Sequence, residues 1–172
     1  MKELYSNTLI TVTLFDSVII HVPKTYDHNK QLITFKNKLD NEFVLFENKI
    51  EDQFLNKSVK SLSPNNFFKF FILKISLKKG LNNVSIDDLI LMFNELKVNT
   101  SGVQGLTLVW DYIMHKLPDN NPLFSFTDKK IVWGFGQKYF GEPMIFKSNK
   151  KFNFNFGEYN HVNSLLLCYM RC

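Results

Sequence analysis

The sequence predicts an α+β protein built mostly from antiparallel sheet. Apolar and polar residues alternate with a period of two in several segments, most clearly from Lys151 to Gly157, as half-buried strands require. Two other segments, 86–96 and 106–114, place apolar residues at helical spacing. With 45 % hydrophobic and 22 % charged residues, the 172-residue chain has an ordinary globular composition, which excludes disorder along its full length.

The amino-terminal part begins with strand-like segments. Leu9 to Val22 is rich in Val, Ile and Thr, and Phe15 to Ser17 is typical of a turn, so we expect two short strands ending at Pro23. The same pattern predicts strands at Leu32–Phe35, Phe43–Phe46 and Leu73–Leu77. In the last of these, Lys74 and Lys78 contribute to a basic outer face.

Two helices are predicted next. Ser85 followed by Asp88 is an amino-terminal capping signal. It opens an apolar stripe made of Ile86, Leu89, Ile90, Phe93 and Leu96. A second stripe consists of Leu106, Val109, Trp110, Ile113 and Met114. Pro118 is expected to stop this second helix.

After Pro122 apolar and polar residues again alternate with a period of two, as in strands. Lys130 to Phe140 is predicted to be strand-like, with Gly134 and Gly136 marking a bulge or a close backbone approach. Lys151 to Gly157 is the clearest strand, with its Phe residues assigned to the core, and His161 to Tyr169 is the expected last strand.

The order of these elements predicts a mostly antiparallel sheet with one or two helices, followed by a second, all-strand unit. A polar break at 119–122 separates them. Residues 1–118 would form a first α/β unit, and residues 119–172 a second, strand-rich and basic unit.

The composition indicates a gene under strong AT pressure. The chain has 20 Lys but one Arg, 19 Asn, 18 Phe and no Ala. Organelle genomes commonly show this bias. The amino terminus resembles neither a transit peptide nor a secretory signal, and no apolar run is long enough for a membrane span. We therefore expect a mitochondrial, organelle-encoded protein that lacks a targeting peptide and does not span a membrane.

The charge is unevenly distributed. Residues 1–115 carry 13 basic and 12 acidic side chains, a net of +1, whereas residues 116–172 carry 8 and 4, a net of +4. Clustered lysines suit the binding of nucleic-acid phosphates. The alternative is that these lysines are solvated strand faces, with edge lysines that block aggregation.

Patterns that carry catalytic or metal chemistry are weak. Cys168 and Cys172 match no zinc pattern. Gly134-Phe135-Gly136 has no helix behind it, so it is not a phosphate loop. Four His residues are scattered singly along the chain. We expect no enzyme activity, no small-molecule substrate, no cofactor and no metal.

Several segments, taken in order, resemble the large-subunit ribosomal protein six family in its bacterial and organellar form. In the first unit these are Val22-Pro23, Leu32 to Lys36, Asn41 to Phe43 and Gly105 to Val109. In the second they are Ser125 to Thr127, Trp133 to Lys138 and Phe152 to Gly157, followed by His161. Gln137-Lys138 stands where the family has Tyr-Arg, and the family continues beyond the point that corresponds to Cys172. The resemblance implies two tandem units, each a small, mostly antiparallel sheet with a covering helix. Against the family, the first unit would carry an insertion around 57–99 and the second would be incomplete, without its helix.

The resemblance implies a structural constituent of a large ribosomal subunit that binds ribosomal RNA. From charge, strand pattern and the resemblance together, we predict a set of RNA-contact residues in the second unit. They are Lys129, Lys130, Gly134, Gly136, Lys138, Lys147, Lys150, Lys151, Asn153, Asn155 and His161. Because the second unit lacks its helix, we expect neighbouring ribosomal proteins, RNA or a separate fragment to cover its apolar face, including Leu165 to Leu167.

Two other functions stay open. The chain could be a soluble accessory subunit of another organellar assembly, such as a respiratory complex, and would then show no salt-dependent affinity for ribosomal RNA. It could instead be a small enzyme that uses His and Cys. That alternative predicts His161 close to Cys168 in a concave pocket, with the pKa of one of them shifted.

Overall fold

The computed structural model describes residues 2–42, 66–81, 84–126, 131–133, 139–148, 151–157, 159 and 164–172. Within them the strands are β1 (Lys2–Ser6), β2 (Ile10–Val22), β3 (Asn66–Leu77), β4 (Leu123–Phe124), β5 (Ile131–Trp133), β6 (Tyr139–Ser148), β7 (Lys151–Gly157) and β8 (Leu165–Arg171). The helices are α1 (His28–Glu42), α2 (Ile86–Leu96) and α3 (Gly102–Ile113). The predicted α+β class is confirmed, and among these strands the β4–β8 pair is parallel while the others are antiparallel.

The described strands form one sheet of eight strands. Their order is β1-β2-β3-β8-β4-β6-β5, and β7 also pairs with β6. The last strand of the chain, β8, lies against β3 over seven residue pairs, from Phe68–Arg171 to Lys74–Leu165. Residues on both sides of position 118 therefore share this sheet, which differs from the expected division into two units. A strand that is apolar on both faces, as β8 is, belongs in the middle of a sheet.

The region expected to be an insertion, 57–99, contains a central element of the fold. Its described part includes β3, which pairs with β2 on one side and β8 on the other. Phe70 and Ile72 of β3 are fully buried. The strand predicted at Leu73–Leu77 is the second half of β3.

One continuous strand replaces the two short strands expected between Leu9 and Val22. The register of β2 against β3 shifts between Leu14 and Asp16, so Phe15 is an extra residue in a bulge and not part of a turn. Ile10 and Val12 pack on one face of the sheet, while Val22 packs on the other. An extra residue reverses the alternation, which is why side chains at even positions change face along this strand.

The strand predicted at Leu32–Phe35 is wrong, because these residues lie within α1. Asp27 starts the helix: its side chain accepts a hydrogen bond of 3.0 Å from the backbone N–H of Lys30. Phe35 is 1 % exposed and meets the rings of Trp110 and Phe154 edge to face. A four-residue apolar run fits a strand or a helix equally well, and here packing on α3 decides. The strand predicted at Phe43–Phe46 lies outside the described residues.

The two later helices are confirmed. Ser85 accepts a hydrogen bond from the backbone N–H of Asp88, whose carboxylate accepts one from Ser85 in return, so the predicted cap is a complete capping box. The carboxyl-terminal capping residue of α2, Lys97, is in the left-handed conformation, with φ 54°. The helix α3 begins at Gly102, one turn before the expected Leu106, and buries Trp110 completely.

Helices cover the sheet on both faces. Face A is the side on which α1 and α3 pack, through Phe35, Leu106 and Trp110 among others. Face B is the side on which α2 packs, through Leu89, Met92 and Phe93. Within the described residues, no helix is long and apolar enough to cross a membrane.

The expectation that an external partner covers Leu165 to Leu167 is wrong. Leu165 and Leu167 belong to the core of face A, and Leu166 belongs to the core of face B. All three are at most 1 % exposed within this chain alone. The cover comes from α3 on one side and α2 on the other, because β8 sits between β3 and β4.

Candidate nucleic-acid interface

The candidate contact residues of the second half fall into two groups. Those that lie outside the described residues are Lys129, Lys130, Gly134, Gly136, Lys138, Lys150 and His161. The structure describes Lys147, Lys151, Asn153 and Asn155, and it brings all four together on the β6–β7 hairpin. Trp133 and Tyr139 are paired across β5 and β6, on either side of the glycine segment.

The lysines of the hairpin differ in their surroundings. The Nζ of Lys147 lies 3.3 Å from an Asp119 carboxylate oxygen and 5.8 Å from the centre of the Phe152 ring. The Asp119 carboxylate partly neutralises it. Lys151 is exposed. Lys151 is therefore the better phosphate contact of the two.

The asparagine face of β7 is less accessible than expected. Asn153 is 4 % exposed, and its amide donates a hydrogen bond of 3.5 Å to the carbonyl of Lys151. Phe152 and Phe154, on the opposite side of the strand, are also buried, as predicted for core residues. Because β7 is covered on both sides at this point, the Asn153 amide is not available to RNA. Asn155 is half-buried, next to Met144 of β6 in the ladder.

The structure draws attention to a different surface, because the helices do not cover the whole sheet. On face B, α2 packs over Leu73 and Ile75, towards the carboxyl end of β3. On face A, α1 and α3 pack over Phe68, Phe70 and Ile72, towards its amino end. Face B is therefore open near the amino end of β3, where Lys69 lies. Face A is open near the carboxyl end of β3, where Lys74 lies.

The open area of face B carries aromatic, apolar and cationic side chains side by side. We call Ile19, His21, Phe67 and Lys69 the aromatic patch. Their neighbours Val18, Ile20, Phe68 and Phe70 pack on face A, so strand alternation puts the patch on face B. Ile19 is paired with Lys69, and His21 with Phe67, across β2 and β3.

The rings of the aromatic patch are stacked on each other. The centroids of His21 and Phe67 are 4.6 Å apart, with an angle of 28° between the rings. Phe67 is 54 % exposed and Ile19 is 58 % exposed, unusually high for large apolar side chains. The Lys69 Nζ lies 5.3 Å from the centre of the Phe71 ring. The patch thus presents a flat, apolar surface with a cation at its side.

The open area of face A is polar. Lys74 lies next to Thr13 in the ladder, and the Thr13 hydroxyl donates to the Lys74 carbonyl over 3.5 Å. Ser76 is exposed on the same face. Nearby, the Nζ of Lys78 donates to the Ser6 hydroxyl at 2.9 Å. This surface can bind phosphate through charge, but Thr13, Lys74 and Ser76 offer no aromatic ring on which a base could stack.

The buried cysteine does not suit nucleophilic chemistry. Cys168 is 0 % exposed, and its Sγ lies 3.9 Å from the carbonyl of Phe71. Burial raises the pKa of the Cys168 thiol far above its ordinary value. His161, its expected partner, lies outside the described residues. No group of three or more His, Cys, Asp or Glu that could bind a metal occurs in the part of the chain that the structure describes.

The sequence did not point to Ile19, His21 and Phe67. A usable signal lay in the alternation: His21 and Ile19 fall between Val18, Ile20 and Val22, which suggests that they face away from one core. Their pairing with β3 depends on the bulge at Phe15, which no local pattern revealed. No protein-family model, no curated protein and no solved structure matches this chain.

Proposed function

We propose that this chain is a structural, RNA-binding constituent of an organellar large ribosomal subunit, in the mitochondrion. The observation that carries the proposal is the placement of Lys69 and Lys74 on open areas of both sheet faces. The ion pairs among the described residues join Lys38 with Asp111, Lys116 with Asp16 and Lys147 with Asp119. Lys69 and Lys74 are thus available to an external polyanion.

Phosphate binding explains why these positions carry lysine on an otherwise well-packed sheet. A lysine that neutralises a phosphate releases condensed counterions, and this release drives binding. The chain as a whole has a formal charge of +5, which favours association with RNA at long range. The rigid sheet would hold the lysines at fixed spacing, and such contacts set position without reading sequence.

The resemblance to the ribosomal protein six family supports the proposal in part of the chain. Phe152 to Gly157 is a strand, β7, as the resemblance expects, and Gly105 to Val109 lies in a helix. Leu32 to Phe35 is helical where the family has a strand. The ribosomal assignment therefore rests on composition, charge and the later motifs, and not on the first-unit strand.

The proposal is tested by sedimentation of the tagged chain from organelle lysate, with and without ribonuclease. We expect the chain to migrate with large-subunit ribosomal RNA and to leave that position after ribonuclease treatment. Migration with a ribonuclease-resistant membrane complex would overturn the proposal and favour the accessory subunit of a respiratory-chain assembly. Ile90 and Leu91, 48 % and 58 % exposed on α2, are where such a protein partner could dock.

A second experiment tests the two lysines directly. Lys69→Gln and Lys74→Gln should each make RNA binding less dependent on salt, lowering the slope of log affinity against log salt by about 0.7 for single strands. Lys116→Gln is the matched control, because Lys116 is already paired with Asp16. Equal slopes for all three variants and the unmodified chain would contradict phosphate binding at the sheet.

A further inference from the structure

We propose that the aromatic patch binds unpaired RNA bases by stacking them on the His21–Phe67 pair; this inference rests on the proposed RNA-binding function. It goes beyond that function by naming the ligand, single-stranded RNA, and the surface that takes it. The predicted contact residues of the second half are not part of it.

The geometry of the pair suits stacking. The two rings are already face to face, with centroids 4.6 Å apart, so a base laid on the free side of Phe67 would extend an existing stack. Phe67 is 54 % exposed, which leaves that ring accessible. Every base has a flat π face, and aromatic side chains on an antiparallel sheet use this in single-strand recognition.

The openness of the patch follows from how the chain covers its sheet. The helix α2 ends at Leu96 and packs over Leu73 and Ile75 of β3, away from Phe67. The helices α1 and α3 lie on face A. Both His21 and Phe67 are exposed, and neither belongs to a core cluster of the described residues.

The surrounding charge selects a polyanion as the occupant. Three segments form this end of the sheet, 17–22 of β2, 66–71 of β3 and 168–172 around β8, and they contain no Asp or Glu. Lys69 lies on face B with the patch, whereas Arg171 is paired with Phe68 and lies on face A. Lys69 is the ladder neighbour of Ile19 and Met170, so it can reach a phosphate beside a stacked base. A second copy of this chain would place two such cationic surfaces together, which charge repulsion disfavours.

The test compares single-stranded and duplex RNA by fluorescence anisotropy with the full chain. The probe is a labelled RNA of roughly a dozen nucleotides, a length that matches known single-strand sites. Phe67→Leu keeps an apolar side chain but removes the ring. It should weaken single-strand binding roughly tenfold and change duplex binding little. Phe67→Tyr keeps the ring and should bind as the unmodified chain does.

The matched control is Leu91→Ser, which removes an equally exposed apolar side chain, 58 % exposed, from the outer side of α2. It should leave RNA binding unchanged. Thermal unfolding of each variant shows that the fold is retained, which we expect because Phe67 lies on the surface.

The outcomes separate this inference from the proposed function. If the chain binds both RNAs and Phe67→Leu binds them equally well, the stacking site is wrong while RNA binding stands. If the chain binds neither RNA, both proposals fail. If Phe67→Leu instead abolishes self-association in sedimentation, the patch is a protein interface and the inference is overturned.

Discussion

The hydroxyl of Tyr112 on α3 donates a hydrogen bond of 3.0 Å to an Asp16 carboxylate oxygen at the bulge of β2. The same carboxylate accepts from the Lys116 Nζ at 2.8 Å and from the backbone N–H of Ser17 at 2.7 Å. The Lys116 Nζ lies 3.7 Å from the centre of the Tyr112 ring. This cluster joins the end of α3 to the point where β2 changes face, so it fixes the position of the helix relative to the bulge.

The Asp16 cluster makes stability depend on pH. Burial by itself raises the pKa of Asp16, but the hydrogen bonds from Lys116, Ser17 and Tyr112 outweigh it and bring the pKa below its ordinary value of 3.8. A carboxyl whose pKa is lowered by folding stabilises the protein above its unfolded pKa and loses this effect as pH falls through the folded value.

Tyr112→Phe should therefore lower the free energy of unfolding by about 1 kcal/mol at pH 7, and by less at a pH below the Asp16 pKa. Urea denaturation at both pH values measures the difference. Tyr112→Phe in a chain that already carries Asp16→Asn is the control, and there we expect little pH dependence of the loss. An equal loss at both pH values in the unmodified background would contradict the assignment.

Gly105 is predicted to be intolerant of a side chain. A Cβ at this position would overlap the Ser101 side chain, whose hydroxyl is hydrogen-bonded to the Ser125 hydroxyl at 2.8 Å in the core. Gly105→Ala should destabilise the protein by about 1–3 kcal/mol, because the Ser101–Ser125 contact must move. Chemical denaturation measures this loss.

Two further variants serve as controls. Ser101→Gly combined with Gly105→Ala should recover part of the stability, since the overlapping group is gone. Gly157→Ala should cost less, because its Cβ would meet only the flexible end of Met144, at 3.0 Å. A Gly105→Ala variant as stable as the original chain would show that the Ser101 side chain moves freely.

Because β8 pairs with β3, a substitution that destabilises β8 should also destabilise β3 in the first half of the chain. Leu167 is 0 % exposed in the core of face A, and Leu167→Ala should cost about 2–5 kcal/mol. Hydrogen exchange should then accelerate in β3 as well as in β8, because the two strands share their ladder bonds. Faster exchange confined to residues after 118 would favour two separate units instead.

The two cysteines should react at different rates. Cys168 is buried and Cys172 is exposed, and burial raises the pKa of the Cys168 thiol. Since the thiolate is the reactive form, a thiol reagent should modify Cys172 in the native protein and Cys168 only after unfolding. Mass spectrometry of the labelled peptides distinguishes the two. Rapid native labelling at Cys168 would contradict the buried position of β8.

Local sequence patterns predicted an element well where the signal for that element lies within its own residues. The capping box at Ser85 and Asp88 and the stripe behind it located α2 almost to the residue. The period-two pattern of Phe152 and Phe154 located β7 and its core side. These elements depend on interactions within a few residues, which the sequence displays directly.

Local sequence patterns failed where a short apolar run fits a strand and a helix equally well. Leu32 to Phe35 became a helix because Phe35 meets Trp110 and Phe154, which are far away in the chain. The Asn153 side was expected to face outward, but packing around β7 covers both of its sides.

The sequence by itself determined the α+β class, two of the helices and the positions of β2, β7 and most of β8, because these follow from spacing and capping along the chain. The tertiary structure alone decided that β8 joins β3 in one sheet and that Leu165 to Leu167 are covered within the chain. It also decided that His21 and Phe67 stack on an open face. Strand order, bulge register and helix coverage depend on contacts between distant segments, and no periodicity within a segment encodes which partner it will meet.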